Sequence, residues 1–264
     1  MTIEKGSLIL IDYTAKVKDS DEIFETTIEE NAKKSNLYDP GIKYEPRLVS
    51  IGEGWVLKGL DEILSTAKPG DNLNVEILPD KAFGLRDPNK VRMIPQRKFG
   101  DKADELKAGD AVEIDDRRGF VRFIGSGRVQ VDFNHRLAGK TLNYNVNILK
   151  ILKTDEDKIT SLIKRRLLVE KDKVSIALNK SDLTITLPEE SFLIDGLQVI
   201  KKAISGDLFK FITSIESIKF LEIYNKSKSS PKEQKLEPKE QKLEPKEQKL
   251  EPKEQKLEPK EQKK

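Results

Sequence analysis

From Pro231 to the C-terminus the chain repeats PKEQKLE, which places proline at 231, 238, 245, 252 and 259. A seven-residue period suggests a coiled coil. Each unit, however, carries one apolar residue where a seam needs two, and a proline inside a helix costs about 3 kcal/mol. Residues 226–264 therefore read as a disordered polyampholyte, at most transiently helical between prolines. Folding is then confined to residues 1–225, which explains how a chain with 36% charged and 36% hydrophobic residues can still hold a core.

Within that part, strand and helix periodicities alternate. LILIDYTAKV puts Ile9, Ile11, Tyr13, Ala15 and Val17 on one strand face. WVLKGLDEILSTAKPG predicts a helix with Val56, Leu60, Ile63 and Ala67 on one side, stopped by Pro69 and Gly70. Leu73, Val75 and Ile77 share a face of the next strand, as do Leu142, Tyr144, Val146 and Ile148 of a later one. Sheet with one packed helix is an α+β pattern. Between Phe83 and His135, the stretches AVEID, GFVRFIG and RVQVDF predict a small β-rich module inserted before the last strand, with turns at Arg118-Gly119 and Gly125-Ser126-Gly127. After Lys153, Thr154 caps a helix that aligns Ile159, Leu162, Ile163 and Leu167. KVSIAL and LTITL then form a hairpin, Pro188 opens a second helix, and FKFITSIESIKFLEI reads as a strand. That is an α-β-β-α-β unit ending near Tyr224.

The chain has no cysteine and a single histidine, His135. Disulfides, thiolate metal sites and cysteine nucleophiles are excluded, and no G-x-S-x-G, Walker-type loop or paired His-Glu metal motif occurs. Absence of cysteine, with Lys, Glu and Ile enriched, points to a reducing cytoplasmic setting and a thermophilic source. A net charge of +3 with the two signs interspersed provides no strong field for a polyanion, so nucleic acid is not an expected partner. No apolar run is long enough for a signal peptide or membrane span. Any chemistry must therefore proceed without a nucleophile or a metal. The residues available are aromatic and aliphatic ones beside a few polar groups, each of which taken singly reads as core.

Their order and spacing say more. GSLILIDYTAKVKDSDEIFETT, PRLVSIGEGWVLKGLDEIL, AKPGDNLNVEILPDKAFG and VDFNHRLAGKTLNYNVNILKI together resemble the FKBP-type peptidyl-prolyl isomerases over residues 4–152, and FNH-x-LAGKTL is similar to their SlyD-like and long archaeal members. The resemblance implies an FKBP half-barrel, an antiparallel sheet wrapping one helix, made by residues 1–85 with 133–153. It implies a cleft for proline-containing peptides with Tyr13, Phe24, Glu25, Phe83 and Tyr144 as the catalytic group. Val49, Val56 and Leu57 would bind substrate, with Leu60 as the floor and Leu137 completing the rim. No metal or cofactor is implied. Three positions depart from the family's pattern: Glu25 stands where most relatives have aspartate, Phe83 where many have tyrosine, and Arg136 where proline is usual.

The resemblance further implies that 86–132 is an insert-in-flap domain that binds unfolded chains. Val91, Met93, Ile94, Phe99, Val121 and Phe123 are its candidate apolar surface, about half of them expected instead in the module's own core. A weaker alternative is contact with RNA through Arg117, Arg118, Arg122 and Arg128, which are offset by Asp110, Glu113, Asp115 and Asp116. Residues 154–225 resemble the C-terminal extension of the long archaeal members. Their last strand either completes its own sheet or pairs two copies in a homodimer. The expected function is isomerisation that speeds folding, coupled to chaperone-type binding by the insert; the alternative is a holdase with weak turnover. His135 is expected to brace the junction between insert and sheet together with Asn134, and not to ligate metal or move protons.

Overall fold

The first half of the first strand, LILI, is apolar on both faces, and the fold uses both. The computed structural model describes residues 3–167 and 173–225, so the repeat tail at 226–264, read above as disordered, lies outside the described residues. In chain order the elements begin with β1 (Leu8–Val17), β2 (Ile23–Thr26), α1 (Glu29–Lys34), β3 (Arg47–Ser50), α2 (Lys58–Leu64) and β4 (Asn72–Ile77). Then come β5 (Val91–Pro95), β6 (Ala111–Ile114), β7 (Arg117–Gly125), β8 (Arg128–Asp132) and β9 (Leu142–Ile151). Last are α3 (Asp155–Arg166), β10 (Ser175–Asn179), β11 (Asp182–Leu187), α4 (Leu197–Phe211) and β12 (Ser217–Glu222).

The first sheet runs β2-β1-β9-β4, with β3 also on β1, and every pairing is antiparallel. β9 lies along β1 from Ile9 to Val17, so β2 and β3 share the opposite edge, β3 on Leu8–Ile11 and β2 on Thr14–Lys16. The sheet stays open. Its inner face buries Ile9, Ile11, Tyr13, Ala15 and Val17 against Leu60 and Leu64 of α2 and Val146 and Ile148 of β9. Each such aliphatic side chain contributes about 1.5–3 kcal/mol on burial. The helix is shorter than its apolar spacing predicts. Val56 precedes it, Leu57 is its N-cap with non-helical backbone, and Ala67 follows it. Gly59 permits the close approach: a Cβ there would lie 2.6 Å from Ile77 Cγ2.

The outer face of β1 is covered too. Leu8, Leu48 and Leu152 join a second core with Ile159, Leu162 and Ile163 of α3, Leu183 and Ile185 of β11, and Ile204 and Leu208 of α4. The run LILI is therefore apolar on both sides because two cores meet across one strand. The sheet beneath the second core is β10-β11-β12, antiparallel and then parallel. Thr154 caps α3, its side chain accepting from the Asp157 N–H at 3.2 Å.

Two expectations for this region are corrected. Pro188 starts only a short 3-10 turn, Glu189–Ser191, and the true helix begins after Gly196, whose left-handed backbone (φ 73°) turns the chain into α4. Phe209–Phe211, read as strand, finish that helix because Leu197, Ile204 and Leu208 form its buried face. The strand itself is limited to β12.

The inserted segment forms a four-stranded antiparallel sheet in the order β5-β8-β7-β6. Its core is Ile94, Val121, Val129 and Val131. The turn expected at Arg118-Gly119 is also corrected. Those residues pair with Glu113 and Val112 inside β7, and the chain reverses at Asp115-Asp116, both with positive φ (51° and 58°). Asp tolerates that conformation, which the two-residue hairpin turn requires at both positions. The second expected turn is where it was placed, at Ser126-Gly127 between β7 and β8.

Candidate active site

Strand register assembles the aromatic residues. On β1, Ala15 pairs with Tyr144 of β9 on one side and with Glu25 of β2 on the other, and Tyr13 pairs with Val146. Tyr13 and Tyr144 thereby sit together with ring centroids 5.7 Å apart. Phe24 meets the Tyr144 ring edge-on at 6.1 Å and the Phe83 ring at 6.5 Å, and Phe83 stacks on His135 at 4.2 Å. The result is a continuous row, Tyr13, Tyr144, Phe24, Phe83, His135, along one side of the inner core. Leu60 is buried beneath it, while Val56 and Leu57 are half-buried at the entrance to α2. Val49 is fully buried and backs the core without reaching solvent. Leu137 is nearly buried, packed against the same cluster.

At the Tyr13 end the row becomes polar. The Tyr13 hydroxyl donates to Glu25 Oε1 at 2.6 Å, and Arg47 Nη1 donates to the same oxygen at 2.6 Å while also touching the Tyr13 hydroxyl. Glu25 has the longer arm of the two acidic residues, and here it spans to both partners. Burial, together with the negative charge of Glu25, pushes the Tyr13 phenol well above its ordinary range despite the opposing Arg47. Tyr13 therefore stays a neutral donor. Burial raises Tyr144 in the same way. Arg47 was missed by the sequence reading, although it stands in PRLVS and pairs with Ile11, two residues from Tyr13. Only the strand register brings it to Glu25.

At the other end the row meets the insert junction. His135 Nδ1 accepts from the Leu137 N–H at 3.2 Å, so the ring that covers Phe83 also holds the turn before β9. Asn134 ties the two crossings together: it accepts from the Asp87 N–H at 2.9 Å and donates to the Asp87 carbonyl at 2.9 Å and to Asp132 Oδ1 at 2.8 Å. Asp132 is buried and pairs with Arg86 and, at 3.1 Å, with Arg122. Burial alone would raise its carboxyl, but the Asn134 amide and the two arginines hold it below the ordinary carboxylate range. Arg136 is exposed.

The insert residues divide by strand parity. Ile94 and Val121 lie in the module's core and are not part of an exposed surface, while Phe99 packs against that core and stays partly exposed. Met93 and Phe123 are 47% and 58% exposed, and Val91 is partly exposed. Both Met93 and Phe123 pair with Gln130 of β8, one from each side, so they flank it on the same open face. Among the described residues no group of three or more His, Cys, Asp or Glu side chains is placed to hold a metal ion, and no helix is long and apolar enough to cross a membrane.

Comparison with known proteins identifies three family matches along the chain. The family model of FKBP-type peptidyl-prolyl cis-trans isomerases matches residues 1–99, that of the FKBP26 IF domain residues 92–137, and that of the FKBP26 C-terminal region residues 155–225. The chain is 32% identical over 146 residues to the short-type peptidyl-prolyl cis-trans isomerase of Methanocaldococcus jannaschii, covering 55% of this chain and 92% of that one. It is 28% identical over 155 residues to the FKBP-type 16 kDa peptidyl-prolyl cis-trans isomerase of Escherichia coli, covering 57% and 94%. It is also 28% identical over 130 residues to the SlyD isomerase of Helicobacter pylori, covering 47% and 69%. With its open antiparallel sheet over one helix and these relatives, the chain belongs to the FKBP-type peptidyl-prolyl cis-trans isomerases.

Proposed function

We propose that the row from Tyr13 to His135, with Val56, Leu57 and Leu60, is the cleft in which a client's X-Pro bond turns, and that Tyr144 supplies its hydrogen-bond donor. Rotation about that bond faces about 18–20 kcal/mol because amide resonance is lost on the way. The twisted amide is less polar at its carbonyl than the planar one, so an apolar wall favours it relative to the ground state. Each ~1.4 kcal/mol of such selectivity is worth tenfold in rate. Phe83 brings no hydroxyl. Tyr13 commits its own to Glu25. Among the described residues the Tyr144 hydroxyl has no hydrogen-bond partner, and it is the observation that carries this reading.

Holding of unfolded chains by the insert is part of the same proposal, now narrowed to the open face with Met93, Phe123 and Val91. Two exposed apolar side chains flanking Gln130 make a small adaptable surface, and its connection to the cleft raises the local concentration of client prolines. The organisation that goes with it is an isomerase domain of 1–85 and 133–153, an insert of 86–132 and a C-terminal domain of 154–225, in a cytoplasmic and thermophilic setting that the cysteine-free composition favours. Pairing of two copies through the outer edge of β12 fits the exposure of Leu221 in that strand and of Ile223 and Tyr224 just after it. RNA binding through the insert is disfavoured because Arg122 is engaged by Asp132.

The test compares wild type with a Met93→Lys, Phe123→Lys variant. Turnover of a short proline peptide should persist in the variant, while acceleration of a proline-limited protein refolding reaction should fall severalfold. Equal acceleration by the two proteins would remove the insert from the function.

A further inference from the structure

A groove of about 710 Å³ opens beside the Tyr13 end of the cleft. That volume lies within the roughly 300–1,000 Å³ of ligand clefts. One wall is the chain from Ile42 to Leu48, and the other is α3 of the C-terminal unit. Tyr13 and Glu25 line it as well, so it continues directly from the proposed isomerase site. Asp157, Thr160, Ser161 and Lys164 face it at spacings of three and four, the face of α3 opposite to the buried Ile159, Leu162 and Ile163.

The lining mixes apolar and polar groups, and its charge is unbalanced. Lys43, Arg47, Lys150, Lys164, Arg165 and Arg166 border the groove, against the carboxylates of Glu25, Glu45 and Asp157. Each of these cations has an ion-pair partner: Arg47 with Glu25 at 2.6 Å, Lys150 with Asp157 at 3.1 Å, Lys164 and Lys43 both with Glu45 at 3.0 and 4.0 Å, and Arg165 and Arg166 with Asp207 outside the groove. Because Glu45 and Asp207 each serve two cations, positive charge still exceeds negative. The hydroxyls of Thr160 and Ser161 have no hydrogen-bond partner among the described residues. Such a lining offers donors to an extended peptide and an attractive field to acidic side chains.

We infer that this groove is a second peptide subsite, which takes the client residues flanking the proline and favours acidic ones. The C-terminal unit then acts in substrate selection through α3. The inference rests on the cleft proposed above, since the groove has meaning as an extension of it.

The experiment uses the full chain and fluorescent peptides sharing one Phe-Pro centre, with runs of Glu, Ala or Lys on one side or the other. Affinity is read by anisotropy and turnover by exchange NMR, at low and high salt. Glu-flanked peptides should bind about two- to fivefold more tightly than Lys-flanked ones at low salt, a preference sized by partly exposed ion pairs, and salt should erase it. A Lys43→Glu, Lys150→Glu variant should abolish or reverse the ratio. Lys43→Gln alone should reduce it, which guards against misfolding of the double variant. Equal affinity for Glu and Lys flanks in the wild type would overturn the subsite. Loss of turnover on every peptide, with the affinity ratio intact, would sustain the subsite and count against the cleft assignment instead.

Discussion

Phe83 and His135 stack nearly parallel, 4.2 Å between centroids and 13° between planes, joining the point where the chain leaves the first sheet to the point where it returns. The chain's one histidine thus stacks on Phe83 at the far end of the proposed cleft and braces the Leu137 turn. His135→Ala should cost about 0.5–1.5 kcal/mol in thermal unfolding and raise KM for short peptides more than it lowers kcat. Complete loss of turnover in a folded variant would instead assign it a chemical role.

Glu25 is positioned by two donors on one oxygen, so its longer arm suits Tyr13 and Arg47 as they stand. Glu25→Asp, a change towards the commoner family residue, should weaken one of those contacts and lower kcat/KM severalfold, with about 1–3 kcal/mol lost in denaturant unfolding. A gain in kcat/KM would show that the present carboxylate is misplaced.

Trp55 belongs to the second core although Val56 and Leu57, next in sequence, pack on the first. The Arg165 guanidinium lies 3.6 Å from the centre of its indole ring, and Phe211 meets the ring edge-on at 5.5 Å. Burial, and secondarily Arg166, holds the Arg165 ionisation below its ordinary range, consistent with a guanidinium packed on a ring. Phe211→Ala should destabilise the chain by about 1–3 kcal/mol and raise KM by loosening the Val56-Leu57 entrance. An unchanged KM would separate the C-terminal unit from the cleft.

Asp132 gives the insert junction a pH dependence whose sign is fixed. Its carboxyl is held below the ordinary value of 3.8, so its contribution to stability is fully present above that value and is lost as pH falls through the depressed one. Acid unfolding monitored below pH 3.8 should therefore shift to higher pH in Asp132→Asn, which should also be less stable at neutral pH. Superimposable acid transitions would show the carboxylate to be dispensable.

Much of this was legible in the sequence where local pattern and burial agree. Ile9 to Val17 alternate because one face meets α2, and Thr154 announces α3 because an unpaired N–H at the helix start needs an acceptor. Pro188 misled for the same local reason: it is a valid helix opener, but the buried face that sustains a helix begins only at Leu197. The Asp115-Asp116 reversal was hidden because Gly119 looked like the turn residue, whereas Gly119 is needed in β7 for lack of room: a Cβ there would lie 2.6 Å from Val131 Cγ1. Parity alone separates Met93 from Ile94, and it became readable only once β5 had a partner. Arg47 and the groove beside α3 arise from strand register and from packing between units, which no spacing along the chain encodes.

The catalytic proposal stands most directly on kcat/KM for one short Phe-Pro peptide, followed by exchange NMR in wild type, Tyr144→Phe and Phe83→Tyr. Tyr144→Phe should fall about two- to tenfold, the worth of one neutral hydrogen bond, with peptide affinity little changed, and Phe83→Tyr should rise. Turnover by Tyr144→Phe equal to that of the wild type, with no gain in Phe83→Tyr, would contradict it.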